Sequence, residues 1–293
     1  MSKVNLTKTK QAKWYSGSER ISVDFLNRKI DFMTMEAALE SIVQAAIKGK
    51  KVVVANYNIH AFNLSMLMPR FLNFYENAEY KICDGMGILK GLNFMGISLP
   101  SKYKTPLTLL VPKLLDYCDR YKFSVFLLGS KPQNLEFALQ KQQAKYPLVK
   151  LAGHHGYFDK EDFQENNAVI DKINGFKPDI LIVGMGMPLQ EMWIQQNYEQ
   201  IDASVIIPCG AVIDRLAGLV PDCPLWMSNV GLEWLYRLIR EPKRLASRYL
   251  LGNPLFFLSV LWAKFHNPDE TKIIDRHQEC LKQMAKSVSR IIK

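Results

Sequence analysis

The chain has 293 residues, 48% hydrophobic and 23% charged, a balance that fits one or two folded domains and excludes a disordered or low-complexity chain. Its net charge of +10 is unevenly placed: residues 1–29 carry +5, residues 226–293 carry +6, and the middle carries −1. A neutral middle excludes a nucleic-acid groove running across the whole surface and makes the two ends basic appendages suited to something anionic.

Residues 1–20 lack an apolar core, so they form no signal peptide and read as a flexible basic tail. Ile21–Phe25 and Lys29–Met33 read as two short strands around Asn27, a hairpin at one sheet edge. Thr34 opens a periodic helix through Lys48, with Gly49 as its stop. Lys51–Asn56 is a β-branched run suited to a central parallel strand. Helices over His60–Met68 and Pro69–Asn77 lead to a short apolar strand, Tyr80–Cys83, and Met86–Phe94 reads as the next helix.

The alternation then continues. Helices are predicted over Leu109–Tyr121, Pro132–Tyr146, Glu161–Asn174 and Leu189–Gln196, and strands over Ser124–Leu128, Val149–Gly153, Asp179–Val183 and Ser204–Pro208. Strands separated by helices imply right-handed crossovers. The fold class is therefore α/β: over residues 21–225, a Rossmann-like, mostly parallel sheet of about six strands flanked by helices.

From Trp226 the pattern becomes helical over Val230–Arg240, Lys243–Leu250, Pro254–Phe265 and Glu270–Ile292, making residues 226–293 a basic C-terminal appendage. The apolar run Leu255–Phe265 is too short for a bilayer span of about twenty residues, and suits either a core helix or the membrane interface. In the last segment Ile273, Ile274, His277, Leu281, Met284, Val288 and Ile291 share one face. Such a basic amphipathic helix can anchor on a membrane surface or pack on the body of the protein. The five cysteines are widely spaced, with no CxxC, and read as reduced thiols of a cytosolic protein.

Five strand ends carry polar residues or glycines, and in open α/β sheets ligands bind beyond the carboxyl ends of the strands. At the first, Asp84 stands between the Tyr80–Cys83 strand and a helix, with Gly85 and Gly87 behind it. It reads as a general base, or else as an N-cap of the helix that follows. Asn56 and Asn58 end the preceding strand. Gly129-Ser130 feeds a helix N-terminus that can receive a diphosphate. Gly184 begins a turn leading to Gln190-Glu191, expected at the mouth of the site. Gly210 and Asp214 follow the last strand, and Asp214 can take a base or sugar hydroxyl or serve as a helix-turn carboxylate. Arg237, Arg240, Arg244 and Arg248 recur along helical turns, able to grip phosphate by bidentate contacts or to form a solvated face. No D-x-D pair, HExxH or GxxxxGKS/T loop is present, so neither a metal nor a cofactor is expected.

Five blocks in order, CDGMGI (Cys83–Ile88), FLLGSKP (Phe126–Pro132), VGMGMPLQEMWI (Val183–Ile194), GAVIDRLAG (Gly210–Gly218) and GLEWLYRLIREPKRLASRYLLGNP (Gly231–Pro254), make the chain resemble the WecG/TagA/CpsF family of bacterial glycosyltransferases. The resemblance covers about residues 20–255. It implies an inverting, metal-independent transfer from a UDP-sugar to a polyprenyl-diphosphate-linked glycan, in bacterial surface polysaccharide synthesis. It also implies a cytoplasmic enzyme lying peripherally on the inner face of the membrane, with an appendage that docks on the anionic surface and helps to close the donor site; a homo-oligomer is compatible with it. Carried over, Asp84 matches the catalytic base, Asn58 the Asn of the sugar-facing turn, Gln190 the Gln of the P-x-Q-E block, and Asp214 the acid after GGAF-like residues. Arg237, Arg244 and Arg248 match the appendage's basic run.

Two departures stand out. Asn56 replaces a frequent Thr, and Lys102–Thr108 lacks the family's arginine and acid, so Lys102 or Lys104 would supply the missing charge. These departures leave open which donor sugar is used among the types that the resemblance implies: N-acetylmannosamine, N-acetylmannosaminuronic acid or glucose. The rival reading is a dinucleotide-binding oxidoreductase or a non-catalytic nucleotide binder, which the incomplete glycine fingerprint disfavours.

Overall fold

The computed structural model describes residues 20–221, 223–224, 226–227, 231–267 and 271–274. The N-terminal tail, Cys280 and the amphipathic segment beyond Ile274 lie outside these residues. The strands are β1 (Arg20–Phe25), β2 (Lys29–Met33), β3 (Val52–Tyr57), β4 (Tyr80–Cys83), β5 (Ser124–Gly129), β6 (Lys150–His154), β7 (Ile180–Gly184), β8 (Val205–Pro208) and β9 (Thr271–Ile274). They form one sheet in the order β6-β5-β7-β8-β3-β4-β2-β1-β9. The run from β6 to β2 is parallel, while β1 and β9 are antiparallel to their neighbours. Strands β3, β5 and β7 are buried along their whole length, which is why they read as continuous apolar runs instead of alternating ones.

The helices are α1 (Met35–Ile47), α2 (Ile59–Leu67), α3 (Pro69–Asn77), α4 (Met86–Phe94), α5 (Leu107–Tyr121), α6 (Pro132–Lys145), α7 (Phe163–Phe176), α8 (Leu189–Asn197), α9 (Val212–Leu216), α10 (Glu233–Arg240), α11 (Pro242–Ala246) and α12 (Gly252–His266). Thr34 caps α1 by accepting from the Ala37 N–H at 3.2 Å, and Gly49, at φ 60°, lets the chain leave it. The two apolar cores lie on opposite faces of the sheet. Helices α2, α3, α4, α7, α8 and α12 cover one face, and α1, α5, α6 and α9 cover the other.

The sheet is wider than the six strands expected. Residues Lys29–Met33 join the parallel block through Asp31 opposite Ile82. Asp31 fixes this junction: its carboxylate accepts from Arg20 at 2.8 Å, Ser22 Oγ at 2.6 Å and the Lys81 N–H at 3.0 Å. The predicted final helix is also corrected at its start, because Thr271–Ile274 is a strand on the outer edge of β1. Three of those four residues are β-branched, and pairing satisfies backbone groups that the hairpin would otherwise leave open.

After β3 the chain turns to α2 on one face, and after the adjacent β8 it turns to α9 on the other. A crevice therefore opens between these strands at their carboxyl ends. The C-terminal arm reaches the same edge. A π-type turn at Ser247–Leu251 joins α11 to α12, and Phe256, Val260 and Ala263 form the buried face of α12. The Phe256 ring lies 5.2 Å from that of Phe62 and 6.1 Å from that of Phe25. Gly91 gives the ring room, since a Cβ there would stand 2.8 Å from it.

Candidate active site

Asp84 is the first residue beyond β4, and its N–H bonds the Tyr57 carbonyl at 2.8 Å, so the neighbouring strand end fixes its backbone. Its side chain does not cap α4, whose N-cap is Gly85 without a side-chain bond. The carboxylate turns instead to the end of β3 and the start of α5. Oδ1 accepts from the Leu107 N–H at 3.1 Å, at the start of α5. Oδ2 accepts from Asn56 Nδ2 and Asn58 Nδ2, each at 3.3 Å. A carboxylate offers about four lone-pair positions; three are filled, and one is left to receive a hydroxyl proton. Asn58 serves twice, because its Oδ1 also caps α2 at the Ala61 N–H, 3.1 Å away. Gly87 lets α4 start this close to α2: a Cβ there would lie 2.4 Å from Ile59 Cδ1.

The carboxylate borders a pocket of about 190 Å³ whose other walls carry Lys90, Lys104, Arg237 and Arg248. Lys104 lines the pocket, whereas Lys102 is absent from its walls and lies over the Tyr103 ring. Arg237 Nε is 4.0 Å from Glu233 Oε1, the other carboxylate in the pocket. Burial, together with the like charge of Arg237, holds Arg248 below the ordinary guanidinium range, although an arginine stays charged. Its Nε is buried without a hydrogen-bond partner. Such an orphaned cationic donor fits an anion in the pocket. His60 also lines it, but burial and the Arg248 charge push its pKa down to about 4, so it is neutral at physiological pH. The positive charge at this wall comes from the lysines and arginines.

The remaining sequence-predicted residues, Arg244 apart, form a second group at the same carboxyl end of the sheet. Gly129 takes φ 149°, and a Cβ there would stand 2.3 Å from the Gly184 carbonyl oxygen; a Cβ on Gly184 would meet the Gly210 carbonyl at 2.7 Å. The three turns pack backbone to backbone. Ser130 Oγ donates to Asp214, which also accepts from Asn134 Nδ2 at 2.9 Å. Asp214 thus locks the turn after β8 to the turn after β5.

Gln190 and Glu191 correct the expectation that they stand at the mouth. Both are fully buried. Gln190 Oε1 accepts from the Gly186 N–H at 3.1 Å and the Gly210 N–H at 3.0 Å, and its Nε2 donates to Glu191 Oε1 at 2.8 Å. Burial pushes the Glu191 carboxyl up to about 7, against the opposing pull of its hydrogen bonds and of Arg248. Arg244 belongs to neither group, since it pairs with Glu241 at 2.7 Å in solvent.

Sequence reasoning missed His60, Lys90, Trp234, Tyr249, Asn253 and Phe257 as pocket residues. Lys90 was reachable, lying one turn beyond Met86 on the same helix face. The aromatic residues were not, because only the docking angle of the arm decides which of its rings face the crevice. Among the described residues no group of three His, Cys, Asp or Glu side chains could hold a metal ion, and no helix is long and apolar enough to cross a membrane.

Residues 23–270 match the description "Glycosyl transferase WecG/TagA/CpsF family". Three similar relatives, from Staphylococcus aureus strains MW2, NCTC 8325 / PS 47 and COL, are each named N-acetylglucosaminyldiphosphoundecaprenol N-acetyl-beta-D-mannosaminyltransferase. Each is 30% identical over 257 residues, which is 84% of this chain and 95% of the relative. The oxidoreductase alternative is left without support. A Rossmann-like sheet with a lone acid at a strand end, faced by arginines from a trailing arm, and a match over most of the chain lead to one conclusion: this protein belongs to the WecG/TagA/CpsF family and is a glycosyltransferase of cell-envelope polysaccharide synthesis.

Proposed function

We propose that the protein transfers N-acetylmannosamine from its UDP derivative to a hydroxyl of a polyprenyl-diphosphate-linked N-acetylglucosamine, with inversion, without a metal, at an anionic membrane surface. One observation carries this reading: the Asp84 carboxylate faces a pocket walled by Arg237 and Arg248. The relatives' names supply the sugar and the lipid-linked acceptor.

In this reading Asp84 takes the acceptor hydroxyl proton through its unfilled lone pair as the acceptor oxygen bonds to the anomeric carbon. The bond from that carbon to the UDP oxygen breaks, and the electron pair leaves with the diphosphate. Attack opposite the leaving group inverts the centre. Charge accumulating on the diphosphate meets Arg237, Arg248 and Lys104, which are cations already in position and do the electrostatic service that a metal performs elsewhere. The packed turns at Gly129, Ser130, Gly184 and Gly210, with Asp214, lie on the same edge and suit the nucleoside half of the donor. Gln190 and Glu191 support those turns from beneath.

The experiment is transfer to an N-acetylglucosaminyl-diphospho-lipid in excess EDTA, with UDP-N-acetylmannosamine, its uronic acid and UDP-glucose as competing donors. Turnover with the first donor, giving the β-linked product by NMR, is expected. Activity that appears only on adding a divalent cation, or an α-linked product, would overturn the mechanism.

A further inference from the structure

A second hollow, larger than the one that holds Asp84, lies among the described residues. An open groove of about 710 Å³ runs between the β1–β2 turn, α2 and the outer side of α12, with Leu26, Met66, Leu258, Leu261, Trp262 and Phe265 among its walls. Exposed apolar side chains of this size are usual singly, but a contiguous set marks a binding surface. The groove's arginine is already engaged: Arg28 donates to Ser65 Oγ at 3.2 Å and lies over the Phe62 ring. What the groove offers is therefore hydrocarbon, not a headgroup site.

The groove is joined to the active site along one helix. Phe257 lines the Asp84 pocket and Leu261 the groove. Phe257, Leu261 and Phe265 follow one another at i, i+4 and i+8, so their side chains form a single row. At 1.5 Å per residue the row covers roughly 12 Å of the helix. All three stay open to solvent, at 43%, 42% and 74% exposure. A pocket that brings the acceptor sugar to Asp84 at one end and an apolar groove at the other match a molecule with a glycosyl-diphosphate head and a long apolar tail.

Resting on the transfer reading above, we infer that this row and groove hold the first isoprene units of the lipid-linked acceptor, keeping them on the protein before the chain enters the bilayer.

The test compares farnesyl- and methyl-linked acceptors, with and without the first isoprene units, in non-ionic detergent with the full chain. The farnesyl acceptor is expected to show a KM lower by about tenfold or more, since its apolar units leave water on the row and groove whereas the methyl group has almost nothing to bury. In Ser259→Trp, which fills the groove at a residue of its wall, the ratio of the two KM values should fall towards one. A wild-type ratio near one, or an undiminished ratio in a folded Ser259→Trp, overturns the proposal. A diazirine-bearing prenyl acceptor gives a reading independent of that variant's folding and of turnover. It should label peptides carrying residues 26–28 and 258–266. Label found only elsewhere, or a phosphatidylglycerol acyl probe labelling the same peptides equally, also overturns it. Absence of transfer with both acceptors would instead count against the functional reading itself.

Discussion

Asp84 shows how far a single residue can be read. Its neighbours in sequence suggest either a base or a helix cap, and the fold separates the two: the carboxylate reaches Leu107, Asn56 and Asn58 but not its own helix. Because Asn is nearly isosteric, Asp84→Asn should keep the fold while removing the proton acceptor, lowering turnover by about 10²–10⁴-fold. Steady-state rates beside an unchanged melting curve check this, and near-normal turnover would reject Asp84 as the base. Glu191 was legible as a polar residue after a strand, but its burial was not. A Gln-Glu pair opening a helix looks solvent-facing until the turn after β8 is seen to bond to Gln190 through the Gly210 N–H. Its raised pKa carries a sign. The unfolded carboxyl, at 4.5, ionises first, while the native one holds its proton up to about 7. Stability is thus full below 4.5 and is lost as pH rises through about 7, by on the order of 3 kcal/mol. Glu191→Gln should flatten this decline. Urea unfolding of both proteins at pH 5 and pH 8 measures it, and parallel losses would show that another group titrates.

Among the elements, the parallel strands and the helices between them were legible because β-branched runs and 3.6-residue periodicity are local signals. The ends of the sheet were not. Strand β9 takes its identity from the open edge of β1, a long-range partner that no local pattern reveals, and α12 reads equally as core or interface helix because only one of its faces packs on the body. Its inner face is seated by Phe256 against Phe25 and Phe62, and its outer face stays exposed. Since Arg248 lies one turn before α12, in the π-type segment that runs into it, the seating of Phe256 should set the arginine's place at the pocket. Phe256→Ala is expected to cost about 3–5 kcal/mol and to raise the KM for the UDP-sugar in whatever fraction stays folded. Chemical denaturation and donor titration at low temperature give both numbers. A destabilised variant with an unaltered donor KM would uncouple the arm from the site.

At the scale of the whole molecule, charge and apolar exposure fall on the same part of the chain. The C-terminal residues carry +6 of the total +10, and Ile239, Leu251 and Phe265, on the elements that bring Arg237 and Arg248 to the pocket, are 69–74% exposed. A surface both basic and apolar binds anionic bilayers by two additive contributions. Coulomb attraction is worth about 1 kcal/mol per cation near the surface and is screened by salt; apolar insertion is far less sensitive to it. The two are separable. Wild-type protein should float with vesicles containing phosphatidylglycerol, more weakly with neutral ones, and less as salt rises. Ile239→Asp with Leu251→Asp removes two exposed apolar side chains away from Asp84 and should leave only the salt-sensitive part. In that variant binding at low ionic strength would persist and binding at high ionic strength would vanish. Loss of transfer to a vesicle-borne acceptor, with transfer to a detergent-dispersed one retained, would follow if membrane contact delivers the lipid to the pocket. Identical flotation of variant and wild type at every salt concentration would mean that the exposed face serves a contact other than the bilayer.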